Sequence, residues 1–208
     1  MIKLSAVIIT YNEEKKIERC IKSLVKIADE IIIVDSNSTD NTKAICKTNN
    51  VKFIEQPFLG YKEQKNFAVS QAKYDFILSL DGDEALSNQL SESILKVKKN
   101  FAFDGYYVNR YNNYSGQWIK YSNWYPDRKL RLFKKGKGIW GGINPHDNFK
   151  MFLGTTTTRL KGDLLHWNYG TYKEFDLKTD HFSSISAQSY FDLGRKAPIW
   201  RLLLHPTW

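Results

Sequence analysis

The chain has little cysteine and no long apolar run. Cys20 and Cys46 fall on apolar helical faces with no metal-ligand spacing. They read as buried thiols of a reducing compartment, not as a disulfide or zinc framework. No stretch approaches the roughly 18 consecutive apolar residues of a membrane-spanning helix. Met1-Ile2-Lys3 leads directly into a strand-like segment, so no signal peptide is expected. Neither Gly-x-Gly-x-x-Gly nor a Walker loop occurs, so bound phosphates would have to be neutralised by metal and lysine. No RNP or helix-turn-helix pattern is present, and Lys and Arg are dispersed, which argues against a nucleic-acid partner. No repeat or low-complexity linker divides the chain.

What is present suits one domain of 208 residues, 42% of them hydrophobic. The net charge of +9 points to an anionic partner: nucleic acid, a membrane surface or a phosphorylated small molecule. Aromatic residues make up 14% and concentrate after Phe101, so the second half should present a different surface.

The first 100 residues alternate between strand and helix patterns. Leu4–Thr10, Ile31–Asp35, Val51–Ile54 and Phe76–Leu80 read as strands. Helices are expected from Ile17, over Asn41–Thr48, over Tyr61–Ala72 and over Asn88–Asn100. This order predicts an α/β, Rossmann-like, mostly parallel sheet with helices on both faces. Three strands run into polar segments: Thr10-Tyr11-Asn12-Glu13, Asp35 and Asp81-Gly82-Asp83-Glu84. In a parallel sheet those ends share one edge, where ligands bind. Two carboxylates separated by Gly82 can share a hard divalent cation, which would sit on a nucleotide diphosphate. Taken alone, Asp-x-Asp is more often a solvated loop. An EF-hand is excluded, because Leu86 stands where its glycine belongs.

From Gly105 the pattern changes. Gly105–Tyr111, Lys129–Phe133 and Thr155–Leu165 read as strands, the last ending at His166. Thr171–Gly194 reads as a helix. Asp147, after a Gly141-Gly142 turn and Pro145, is a candidate general base beside His146. The segment 195–208 alternates basic residues with Trp and Leu, as suits peripheral contact with an anionic membrane.

Together these motifs resemble glycosyltransferase family 2, which has the GT-A fold. The resemblance rests on Val7–Glu14, Ile33–Asp40 and Leu80–Glu84. Lys129–Phe133, Trp140, His146-Asp147 and His166-Trp167 resemble the branch containing lipopolysaccharide-core β-glucosyltransferases. Members of that branch usually continue past the equivalent of Trp208. The resemblance implies one GT-A domain: a nucleotide-sugar half (1–100), an acceptor and catalytic-base half (101–195), and the tail (196–208). It implies inverting transfer from a nucleoside-diphosphate sugar, with UDP the leading expectation, to a hydroxyl of a glycolipid or polysaccharide. Mg²⁺ or Mn²⁺ would be the cofactor. Thr10, Tyr11, Asn12 and Glu13 would line the nucleoside pocket, and Asp35 would accept from the base. Asp81 would approach ribose or metal, Asp83 would ligate the metal, Lys65 would face the diphosphate, and His166 would be a further ligand. The site would be cytoplasmic, at the inner face of the cell membrane. Rival readings are a polyprenyl-phosphate sugar synthase and a non-catalytic carbohydrate- or nucleic-acid-binding protein.

Overall fold

The structure is a computed structural model that describes residues 1–196. The basic, aromatic tail lies outside the described residues from position 197 onward.

The first half alternates as its pattern dictates: β1 (Leu4–Thr10), α1 (Ile17–Leu24), β2 (Glu30–Asp35), α2 (Thr42–Thr48), β3 (Lys52–Glu55), α3 (Tyr61–Ser70) and β4 (Phe76–Asp81). β1 pairs in parallel with β2 and β4, and β2 with β3. Side chains alternate across each strand. Leu4, Ala6 and Ile8 therefore pack in one layer with Ile17, Cys20, Ile21 and Leu24 of α1 and Cys46 of α2. Val7 and Ile9 pack in the opposite layer with Ala68 of α3. The strands are buried on both faces, which is why they read as continuous apolar runs.

The second half extends the same sheet. It comprises β5 (Glu84–Leu86), α4 (Asn88–Lys99), β6 (Gly105–Tyr114), β7 (Gln117–Trp118), β8 (Asp127–Lys134), β9 (Gly138–Ile143), β10 (His146–Met151), β11 (Thr157–Tyr169) and α5 (Tyr172–Asp192). The strand order is β3-β2-β1-β4-β8-β6-β11-β5, with β7 on the side of β6. β8 runs antiparallel to β4 and β6, while β6 and β11 are parallel. The α/β sheet is thus parallel through the first four strands and mixed beyond them. Helices lie on both faces.

Two local expectations are corrected. Gly141-Gly142 is not a turn: both glycines lie in β9, which forms a separate hairpin with β10 around Asn144-Pro145. His166 is not at a strand end, because β11 runs on to Tyr169, through a register slip between Trp167 and Tyr169. Glu84 opens a short strand that pairs with β11.

α4 starts at Ser87, whose hydroxyl accepts from Leu90 N at 3.2 Å and from Asp163 N at 3.0 Å. That cap ties α4 to a bulge in β11, where the register slips between Arg159 and Asp163. Gly162 sits in the bulge at φ +94°, and a Cβ there would lie 2.3 Å from Leu90 N. Backbone cannot yield as a side-chain tip can. Gly162→Ala is expected to destabilise the fold by about 2–4 kcal/mol, combining left-handed strain with the clash. Urea unfolding measures it, and a midpoint equal to wild type would contradict the packing described.

Candidate active site

The edge at the C-terminal ends of β1, β2 and β4 is built by register: Thr10 pairs with Asp35, and Ile9 with Asp81. Two loops leave this edge and are stitched together by backbone donors. Asn12 N donates to Ser38 Oγ at 2.8 Å, Glu13 N to Thr42 Oγ1 at 2.9 Å, and Glu14 N to Asp40 Oδ2 at 3.0 Å. Asn12 holds φ +51° and accepts from Thr39 N. Asp35 is buried, and its two oxygens accept from the backbone and hydroxyl of Ser38 at 2.7 and 2.5 Å. Tyr11, Asn12 and Glu13 line a cavity of about 330 Å³ with Lys16, Glu174 and Lys178. Thr10 and Asp35 do not line it.

Gly82 lies in the turn that joins β4 to β5, and a Cβ there would also meet Thr10 Oγ1 at 2.7 Å. The buried Thr10 side chain occupies the space that glycine leaves. Around this contact the two aspartates part company. Asp81 Oδ2 accepts from Arg131 Nη2 at 2.9 Å, and its Oδ1 lies 3.2 Å from Lys65 Nζ. Burial would raise the Asp81 carboxyl, but Lys65 and Arg131 outweigh it and hold it well below the usual range. Two cations on one carboxylate leave Asp81 poorly suited to ligate a metal as well. Glu84, fully buried, accepts from Arg131 Nη2 at 2.7 Å and from Asp81 N at 2.9 Å. Burial wins there and raises its pKa.

Asp83 faces another way. Its Oδ2 lies 3.4 Å from His166 Nε2. Burial works to raise the Asp83 carboxyl, but His166 holds it down to about 2. Burial, and next the charge of Asp83, push Glu13 up to about 7.

The β9–β10 hairpin supplies the last carboxylate. Asn66 of α3 clamps Trp140 through both backbone groups, at 3.0 and 3.1 Å, and Asn144 Oδ1 accepts from Tyr61 N at 3.1 Å. These bonds seat the hairpin on α3, so Asp147 Oδ2 meets Lys65 Nζ at 2.9 Å. Neighbouring strand residues face opposite ways. His146 is therefore exposed, on the far side of the hairpin from Asp147, and does not orient it.

A family model for glycosyl transferase family 2 matches residues 5–156. The chain belongs to glycosyl transferase family 2. A Rickettsia typhi protein described as an uncharacterized glycosyltransferase is 34% identical over all of this chain and 75% of its own length. The lipopolysaccharide core biosynthesis glycosyltransferase LpsC of Rhizobium meliloti is 32% identical over 99% of this chain and 78% of its own. Among solved structures, S. aureus TarS 1-349 in complex with UDP-GlcNAc is 25% identical, covers 58% of this chain and 37% of its own, and has a TM-score of 0.46.

For this family 2 member, the fit of a divalent cation can be tested on the residues themselves. Asn112 Nδ2 donates to Trp124 O at 3.1 Å, which turns Asn112 Oδ1 toward His166. His166 Nδ1 donates to that oxygen at 2.6 Å. The ring nitrogen left over, Nε2, is the one facing Asp83, and a ligating histidine is held in just this way. The 3.4 Å separation is close to the roughly 3 Å between adjacent ligands of an octahedral ion with bonds of about 2.1 Å. No group of three His, Cys, Asp or Glu side chains forms a complete metal cluster among the described residues. Two protein ligands nonetheless fit an ion completed by phosphate oxygens and water.

Sequence reasoning missed Arg131 as a site residue. Its signal was a lone charge inside the otherwise apolar Leu130–Phe133 segment, buried on both sides. Such a charge needs a buried partner, and Asp81 and Glu84 provide it. Arg131→Met would strand two carboxylates and should destabilise the fold by about 3–5 kcal/mol. Adding Glu84→Gln should recover part of that loss in urea unfolding. A double variant no more stable than the single one would contradict the pairing.

Proposed function

We propose that this chain is a metal-dependent, inverting glycosyltransferase that uses a nucleoside-diphosphate sugar, UDP-linked, and a hydroxyl acceptor on a glycolipid or polysaccharide such as lipopolysaccharide core. One observation carries the reading: Lys65 joins Asp147 of the second half to Asp81 of the first, at 2.9 and 3.2 Å. A carboxylate suited to take a proton thereby stands beside the strand edge where a donor would bind. Similarity to LpsC along nearly the whole chain supports the lipopolysaccharide acceptor. Residues 1–100 would form the donor half and 101–195 the acceptor half. A glycolipid acceptor would bring the enzyme to the inner face of the cell membrane. No helix among the described residues is long and apolar enough to cross one.

In the proposed reaction the acceptor oxygen attacks the anomeric carbon from the face opposite the diphosphate. The bond from that carbon to the phosphate oxygen breaks, and the nucleoside diphosphate leaves with the electron pair. Asp147 takes the proton lost by the acceptor hydroxyl. Lys65 holds Asp147 in register and contributes positive charge next to the leaving group. Asp83 and His166 would hold the divalent cation, which supplies charge neutralisation to the diphosphate when bound. Tyr11, Asn12 and Glu13 would bind the nucleoside, and Asp35 would act by shaping their loop.

Asp147→Asn is expected to lower kcat by about 10²–10⁴-fold, the usual worth of a general base, while UDP binding with Mn²⁺ persists. Full transfer by this variant would instead favour a phosphate acceptor, as in a polyprenyl-phosphate sugar synthase. Asp83→Asn should abolish the Mn²⁺-dependent part of UDP binding, measured as a shift in thermal midpoint. An unchanged shift would remove Asp83 from the metal site.

A further inference from the structure

A second cavity, of about 500 Å³, lies beside the first and shares Lys15 and Lys16 with it. Its wall also carries Arg19 and three aromatic residues, Trp118, Trp167 and Tyr169, beside Asn113, Gly116 and Gly170. None of the proposed catalytic steps uses it. The Arg19 guanidinium stacks on the Trp167 ring at 4.0 Å. Trp118 leans on Tyr111 at 4.9 Å and meets Trp167 edge-on at 5.3 Å, and it stays half-buried. Its ring is therefore held in place from two sides while part of it faces the cavity. The turn before it is open, because a Cβ on Gly116 would meet nothing within 4 Å.

The charges are as uneven as the surface. Lys16 pairs with Glu13 at 3.1 Å. Among the described residues, neither Lys15 nor Arg19 has a carboxylate within salt-bridge distance. A cavity whose wall has two uncompensated cations and a fixed indole suits a ligand with one anionic group and one apolar ring face. Sugar rings have such faces. The volume decides between saccharide and polynucleotide: it lies in the range of small-molecule pockets, roughly 300–1,000 Å³, whereas a single-stranded nucleic acid needs a track of about 4 nucleotides or more.

We propose that this cavity is an acceptor subsite for an acidic saccharide, one carrying a phosphate or carboxylate. The ring stacks on Trp118, and Arg19 with Lys15 receives the anion. This rests on the glycosyltransferase reading and narrows it to acidic acceptors. The subsite adjoins the proposed nucleoside pocket through Lys15 and Lys16, so the acceptor chain would run past the donor.

The test uses the full chain and calorimetric titration with five probes: glucose 6-phosphate, glucuronate, glucose, inorganic phosphate and an oligothymidine. Glucose 6-phosphate and glucuronate are expected to bind at least about tenfold tighter than glucose or phosphate alone. Arg19→Ala and Trp118→Ala should each weaken glucose 6-phosphate by about tenfold, with UDP–Mn²⁺ affinity unchanged as the control for folding. The inference is overturned if glucose matches its phosphate, if inorganic phosphate matches the sugar phosphate, or if either variant binds like wild type. Tighter binding of an oligothymidine at the same residues would also overturn it, in favour of nucleic acid. Failure of the wild type to bind UDP–Mn²⁺ would sink the donor reading instead, while the sugar titrations would still decide whether the second cavity takes an acidic saccharide.

Discussion

The site depends on one buried arrangement: two cations, Lys65 and Arg131, set among Asp81, Glu84 and Asp147. Burying any one of these charges alone would cost several kcal/mol. Each member comes from a different element. Asp81 ends β4, Glu84 opens β5, Lys65 sits on α3, Arg131 on β8 and Asp147 on β10. The network can be satisfied only when all five are docked, so it couples the two halves more specifically than the apolar layers do. The pKa directions show that compensation is uneven. Asp81, with a cation on each oxygen, is held low, while the fully enclosed Glu84 is pushed up.

Because Asp81 is so engaged, the Asp-x-Asp pair divides its labour. Asp81 belongs to the inner network. Asp83 belongs to a second group with His166 and Glu13, which Lys16 joins through its ion pair with Glu13. Gly82 makes the division possible through the space it leaves for Thr10. Two aspartates that look equivalent in sequence thus have different partners: Lys65 and Arg131 close on the two oxygens of Asp81, while Asp83 faces the imidazole of His166.

The sheet edge was legible because each apolar run stops in a polar residue, and strand register turns those stops into neighbours. Asp147 and Lys65 were legible as residue types with suitable chemistry. Their contact was not, because it joins residues far apart in the chain through a hairpin whose glycines looked like a turn. His166 was displaced toward a strand end because Leu164 and Leu165 looked like the last apolar pair. That His146 does not orient Asp147 follows from the simplest geometry: in a strand it faces away from its neighbour. The partners Asn66 and Asn112 carried no local signal at all. Each is an ordinary polar residue whose importance comes from a backbone or ring brought to it by the fold.

Trp140 explains how the proposed base can be positioned without a rigid loop. Its ring lies 4.6 Å from the Lys65 ammonium and 5.7 Å from the Arg131 guanidinium. An aromatic face next to two cations offsets part of their mutual repulsion in a region of low dielectric. The same residue is held to Asn66 by both its backbone groups, and edge-on by Phe149, which stacks on Phe133 of the sheet at 3.7 Å. One residue therefore fixes the height of the hairpin above α3 and shields the charges beneath it. Two residues further along β9, Gly142 stands opposite Asp147, so the position of the carboxylate follows from strand register. Sites carried on strands and helices are held more tightly than sites on loops. By that measure Asp147 is firmly anchored by its strand, whereas the loop of Tyr11 and Asn12 is held by its bonds to Ser38 and Thr39.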